Sequence, residues 1–202
     1  AGDAAKYYRS FTAQQNLRTA SVDPNVMRVE NGSLRVSTLN LPSEAKYTLA
    51  GSREHGLTDP VIYRGEVTTG ASPTGRYFEI GAEGNLAAND PFHTVTFEGS
   101  QVRITWQGGS KVLSGLPLAN NTTYVVEVET GPAGSTVYVY ARGQARSAAF
   151  SHTLSRSDWG AASATHLVMR TLGKLNQTAS TMQVDNLAEI LPSGPLLGEQ
   201  VF

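Results

Sequence analysis

With no cysteine among its 202 residues, the chain excludes a disulfide-stapled scaffold, a thiolate-held zinc ion and a thiol nucleophile. A formal net charge of -1, with no run of Lys or Arg, leaves no field to draw in a polyanion, so nucleic acid is not an expected partner. Charged residues make up only 16% and hydrophobic ones 40%, the balance of a globular chain with many exposed hydroxyls, and no apolar run approaches the roughly 18 residues of a spanning helix.

Short alternating runs punctuated by Gly, Asn and Pro are the pattern of strands and turns. The chain opens on Ala1 rather than Met, so a trimmed segment of a longer, exported protein is expected, with any leader invisible. Met27 to Thr38 reads as a hairpin about Asn31-Gly32, a dipeptide suited to a type I′ turn. In that register Val29 faces Leu34 and Met27 faces Val36, which makes one side apolar. Residues 42–58 and 82–92 read as long loops, and strands are expected near 60–68 and 75–81. From 93 to 142 the pattern is a meander of adjacent strands. Val95 and Phe97 oppose Ile104 and Val102, Trp106 is expected opposite Val112, and Val126 and Val128 oppose Val139 and Val137. Ser157-Asp158 reads as the cap of a short turn over 159–164, with further strands near 165–171 and 181–190. The sandwich is thus expected over 1–191, and 192–202 as a linker or tail toward a neighbouring module.

The order of these elements resembles a family. Tyr8-Arg9-Ser10-Phe11 precedes the hairpin Arg28-Val29-Glu30-Asn31-Gly32-Ser33-Leu34-Arg35-Val36, then comes Leu118-Ala119-Asn120-Asn121-Thr122-Thr123-Tyr124, and the chain closes on Met182-Gln183-Val184-Asp185-Asn186-Leu187. This is similar to the concanavalin A-like and laminin-G-like domains of bacterial exported proteins, over most of residues 7 to 190. The resemblance implies an all-β fold, a two-sheet antiparallel jelly-roll sandwich with its first and last strands paired. Such domains include lectins, carbohydrate-binding modules, glycoside hydrolases, polysaccharide lyases and inert spacers, so the site must decide the function.

For hydrolysis, glycosidases of this fold carry paired carboxylates in an E-x-D-x-x-E pattern. Glu79 and Glu83 are the nearest match, but no Asp lies between them and their spacing along a strand is expected to hold them too far apart. A lyase would draw on Arg64, Arg76, Tyr77, His93 and Tyr138, without the strand motifs those enzymes carry. Binding has better support. Parity along 136–142 sets Tyr138, Tyr140 and Arg142 opposite Val137 and Val139, and the same outward face is expected to carry Glu127 and Arg103. Rings cover the C–H face of a pyranose while charged groups take directed hydrogen bonds from its hydroxyls, although a covering loop would make the same tyrosines an extension of the core. Trp106 shares the parity of Val102 and Ile104 and reads as core, whereas Trp159 falls in a loop and is a ligand candidate that would serve equally as a plug. Asp185 is the metal candidate, with Asp3 or Asp23, for a structural Ca²⁺. The alternative is a bulge in which Asp185 and Asn186 bond nearby backbone. No cofactor is required. The expectation is therefore a secreted or surface-displayed, non-catalytic module binding a polysaccharide or glycan, with a structural spacer and a lyase or hydrolase as alternatives.

Overall fold

The computed structural model describes residues 5–9, 27–30, 33–37, 45–50, 54–85, 90–116, 118–173 and 180–191. In chain order the first strands are β1 (Ala5–Arg9), β2 (Met27–Glu30), β3 (Ser33–Ser37), β4 (Ala45–Ala50), β5 (His55–Gly56), β6 (Val61–Thr68) and β7 (Tyr77–Gly84). They are followed by β8 (Phe92–Glu98), β9 (Gln101–Trp106), β10 (Gly109–Val112), β11 (Thr123–Gly131), β12 (Gly134–Ala141), β13 (Phe150–Ser155), β14 (Ala164–Gly173) and β15 (Thr181–Leu191).

These form two antiparallel sheets. Sheet A runs β13-β12-β11-β6-β15-β3-β2, with β1 also on β15, and sheet B runs β10-β9-β8-β7-β14-β4, with β5 also on β14. The first and last strands therefore pair, with Tyr7 opposite Glu189. Alternation explains the core between the sheets: Val61, Tyr63 and Val67 of β6 and Val126 and Val128 of β11 meet Phe78, Ile80, Val95, Phe97 and Ile104 of sheet B, all nearly or fully buried. Gly65 sits in the middle of β6 because an added Cβ would stand 2.9 Å from Ile80 Cδ1 across the gap.

The hairpin registers expected about 31–32 and 99–100 are present, and Val126 and Val128 lie opposite Val139 and Val137. Residues 31 and 32 themselves, and 192–202, lie outside the described residues. Three expectations are corrected. The span 42–58 holds β4 and β5 rather than one long loop. Trp106 lies opposite Gly109, and Val112 opposite Arg103, because the connection is a two-residue turn at Gln107-Gly108. Gly109 suits that register, since an added Cβ would press to 3.3 Å from the indole that crosses it. The meander is also divided between layers: β8, β9 and β10 belong to sheet B, whereas β11 and β12 belong to sheet A. The link between them carries Leu113 and Leu118 into the core.

The register of β15 on β6 shifts between Asp185 and Ala188, with Asn186 at a φ of 48°. Asp185 Oδ1 accepts the Asn186 N–H at 2.8 Å, which holds this bulge. The extra residue reverses the parity of the strand beyond it, so Glu189 turns inward and Ala188 outward. Inside, Glu189 is 1% exposed and its Oε2 lies 2.7 Å from His55 Nε2, which ties β5 to the closing strand.

Candidate functional site: the exterior of sheet A

Cross-strand pairing arranges the outer face of sheet A in rows. Ile62, Glu129, Thr136 and Thr153 form one row, Arg64, Glu127, Tyr138 and Ser151 the next, and Glu66, Val125 and Tyr140 a third. The charges in these rows answer one another. Arg64 Nη2 lies 3.3 Å from Glu66 Oε1, and its Nε lies 3.4 Å from Glu127 Oε1. Arg142 Nε is 3.8 Å from Glu66 Oε1, a loose contact for a side chain 63% exposed. Asn186, turned out by the bulge, donates its amide to Glu66 Oε2.

Arg146 completes the network from the turn between β12 and β13. Its Nε stands 3.0 Å from Glu127 Oε2 and its Nη2 2.5 Å from Glu129 Oε1, while its Cζ lies 3.8 Å from the centroid of the Tyr138 ring. Burial alone would lower its pKa, but the hydrogen bond and charge of Glu129, with Glu127 behind it, hold the guanidinium above its ordinary value. Tyr140 is buried beside Glu127, and desolvation followed by that carboxylate raises its hydroxyl pKa. Beyond Glu129 the face opens into a pocket of about 300 Å³ against the β11–β12 hairpin. Its walls include Pro60, Ile62, Glu129, Pro132, Thr136 and Thr153, with the two threonine hydroxyls 3.0 Å apart. The described lining thus mixes apolar rings and methyls with hydroxyls and a single carboxylate.

Of the residues expected to form a site, Glu127, Tyr138, Tyr140 and Arg142 share this face. Arg103 does not. It lies on the outer face of sheet B, 3.4 Å from Glu98 Oε2 and donating to Ser110 Oγ at 3.2 Å. Trp159 is not a surface ligand either: it is 1% exposed and its Nε1 donates to Ser135 Oγ at 3.2 Å between the sheets. The cap that positions it is Ser155 with Asp158, so the capping serine lies two residues before the expected Ser157. Around Asp185 the described residues contain no group of three His, Asp or Glu side chains that could hold a metal ion, and Asp3 and Asp23 lie outside them. Sequence parity alone marks Glu129 and Thr136, two positions from Glu127 and Tyr138. Arg146 follows a turn at Gly143, where no periodicity operates, and carries no such signal.

The outer face of sheet B carries a second ionic cluster. Arg170 of β14 donates Nη1 to Glu79 Oε1 at 3.0 Å and Nη2 to Glu83 Oε1, and His166 Nε2 stands 3.3 Å from Glu83 Oε2. Glu79 and Glu83 thus share one guanidinium, each on a different nitrogen. Burial opposes ionisation of Glu83, but His166 and Arg170 outweigh it and hold its pKa below the ordinary value. Tyr77, desolvated beside Glu79 and Glu98, is pushed up to about 12. The five lyase candidates do not converge. Arg64 and Tyr138 are outside sheet A and Tyr77 outside sheet B. His93 is fully buried between the sheets and is pushed down to about 3 by desolvation and His152. Arg76 is buried under the loops, donating to Gly99 O at 2.7 Å and Asn120 Oδ1 at 2.9 Å.

No family model and no curated protein matches the chain. Solved structures do, and they share its architecture. The CBM2 module of the evolved Dit of Lactobacillus casei BL23 phage J-1 aligns with a TM-score of 0.61 at 9% identity, over 96% of this chain and all of that one. Peanut lectin in complex with a 9mer peptide aligns at 0.64 and 7% identity, again over 96% and 100%. The Crh5 transglycosylase in complex with NAG aligns at 0.63 and 14% identity, over 95% of this chain and 86% of that one. The fold is therefore the concanavalin A-like jelly roll, whose solved examples include both binding proteins and enzymes. No helix among the described residues is long and apolar enough to cross a membrane.

Proposed function

We propose that this domain is a non-catalytic carbohydrate-binding module of a longer exported protein, and that its glycan lies on the exterior of sheet A. The observation that carries this is the continuity of the pocket beside Glu129 with the Tyr138 face. Apolar walls for a ring, paired hydroxyls and an aromatic plane with charged neighbours lie side by side on one rigid sheet. The lectin and carbohydrate-binding neighbours support the class without specifying the sugar. Catalysis has less support. Glycoside cleavage needs a carboxylic acid with a raised pKa, and in the Glu79–Glu83 pair the shared arginine, with His166, holds Glu83 in the opposite direction. Lyase chemistry needs a base, and Tyr77 and His93 are shifted away from that role in opposite directions.

Affinity electrophoresis against a broad polysaccharide panel, run beside assays for reducing ends and unsaturated uronates, tests the proposal. Retardation without turnover is expected. Tyr138→Ala should weaken binding by about 0.5–1.5 kcal/mol, the worth of a stacked ring, with little change in Tm. Turnover of any substrate overturns the non-catalytic reading, and a panel that leaves the wild-type domain unretarded leaves a structural spacer.

A further inference from the structure

The chemistry already gathered at Tyr138 is that of a cation receptor. An aromatic face and two carboxylates, Glu127 and Glu129, converge on one position, and the guanidinium of Arg146 occupies it. Arg146 comes from an exposed turn rather than a strand. The turn begins at Gly143, whose φ is 91°, and no residue of its 3-10 segment, Arg146–Ala148, is buried as a whole, although Arg146 Nε and Nη2 are themselves shielded where they meet the carboxylates. The cation is thus supplied by a turn, whereas the ring and both carboxylates stand on strands. Glu129 belongs to both regions, contacting Arg146 on one side and lining the pocket on the other. It is the only ionisable residue among the described lining, so an anionic sugar entering the pocket meets a like charge.

We infer that the glycan bound on this face is a polysaccharide of amino sugars with free amines, one ammonium group taking the place of Arg146 between Tyr138 and the two glutamates. This rests on the glycan-binding reading above and adds its substrate class. The pyranose ring would lie along Ile62 and Pro132, with Thr136 and Thr153 offering hydroxyl partners, and the ammonium would reach Glu129 from the pocket side. Arg146 then acts as an internal competitor, so its removal should strengthen binding. The carboxylates should be required, since a charge-assisted hydrogen bond is lost with each.

The test is calorimetric titration of the whole domain with glucosamine oligomers, N-acetylglucosamine oligomers, oligouronates and oligolysine, each at a pH where the free amine is protonated. Glucosamine oligomers should bind about tenfold more tightly than their acetylated counterparts, the factor that roughly one charge-assisted contact confers. Arg146→Ala should tighten that binding by a few-fold and Glu129→Gln should weaken it by about tenfold, with both variants keeping the wild-type Tm within a few degrees. Equal or tighter binding of acetylated or uronate oligomers overturns the inference while leaving a glycan-binding module. Oligolysine binding as tightly as the amino sugar overturns it as well, because the face would then read charge alone. A loss of glucosamine binding in Arg146→Ala also overturns it, since Arg146 would be a contact rather than a competitor. If no oligosaccharide binds at all, the glycan-binding reading itself fails.

Discussion

Arg170 on the outer face of sheet B and Arg146 on that of sheet A each bridge two carboxylates, but the two assemblies are held in different ways. Arg170 sits on β14 with β7 and β4 paired on either side, its side chain 12% exposed, and both glutamates it holds come from β7. Arg146 sits on the turn after β12, its side chain 37% exposed, and reaches back over β12 to two glutamates of β11. The same contact is therefore part of the sheet in one case and a cover on it in the other. Ion pairs desolvated within a sheet are costly to break, because the remaining charges stay buried. A partly exposed pair gives less, because water and salt can take the partner's place, and that holds for Glu129 more than for buried Glu127. The contrast locates where a ligand can enter: the charged surface that can open is the one closed by a turn.

The largest consequence follows for Arg170→Ala. Glu79 has a side chain 9% exposed and Glu83 one 17% exposed, and without the guanidinium the described cation partner left to them would be His166, beside Glu83. A loss of about 3–5 kcal/mol is expected in denaturant unfolding, the range seen when one member of a buried pair is removed. A loss under about 1 kcal/mol would erase the distinction between the faces.

Acid sharpens the same contrast. The folded-state pKa of Glu83 lies below its ordinary value of 4.5, so the native state favours the charged carboxylate. Its contribution is complete above the ordinary carboxylate range and is lost as pH falls through the lowered value. Glu83→Gln should therefore be less stable than wild type near neutral pH, and the gap should close progressively below about pH 4.5, the upper bound set by the ordinary value. A gap that stays constant from neutral pH to the acid limb would show that Arg170 and His166 do not favour ionised Glu83.

Much of this architecture was legible in the sequence, and the failures have a common cause. Period-2 alternation states which side of a strand is apolar, so the pairs Val29–Leu34, Phe97–Val102 and Val128–Val137 could be set from turn lengths alone. It does not state to which sheet a strand belongs. Arg103 and Glu127 both point away from valines, yet they point out of opposite sides of the molecule, because the chain changes sheets between β10 and β11. The bulge at Asn186 has a similar effect within one strand, turning Glu189 inward against the parity of Asp185. For Trp159 the reason is different: a short capped turn carries no alternation to choose between ligand and plug, and the burial of the indole with its bond to Ser135 decides for the plug. Parity does place Tyr138 and Tyr140 on the face they occupy. The arginine lying on Tyr138 could not be anticipated from a turn without periodicity.

The smallest expected effect bears on that arginine and tests the comparison most directly. Arg146→Ala removes a cation from Glu127 and Glu129 and uncovers the Tyr138 ring. If the turn is only a cover, Glu127 keeps Arg64 at 3.4 Å and Glu129 gains water, so the loss should stay near 0.5–1 kcal/mol. A double-mutant cycle with Tyr138→Ala separates the ring from the carboxylates. The coupling between Arg146 and Tyr138 should be a few tenths to about 1 kcal/mol, and it should persist in added salt better than the pairing with half-buried Glu129 does. Coupling above about 2 kcal/mol would mean that the turn is as firmly built in as Arg170. In that case the exterior of sheet A would be closed in the same sense as the exterior of sheet B, and no ligand could take the place of Arg146 without unfolding the region around it.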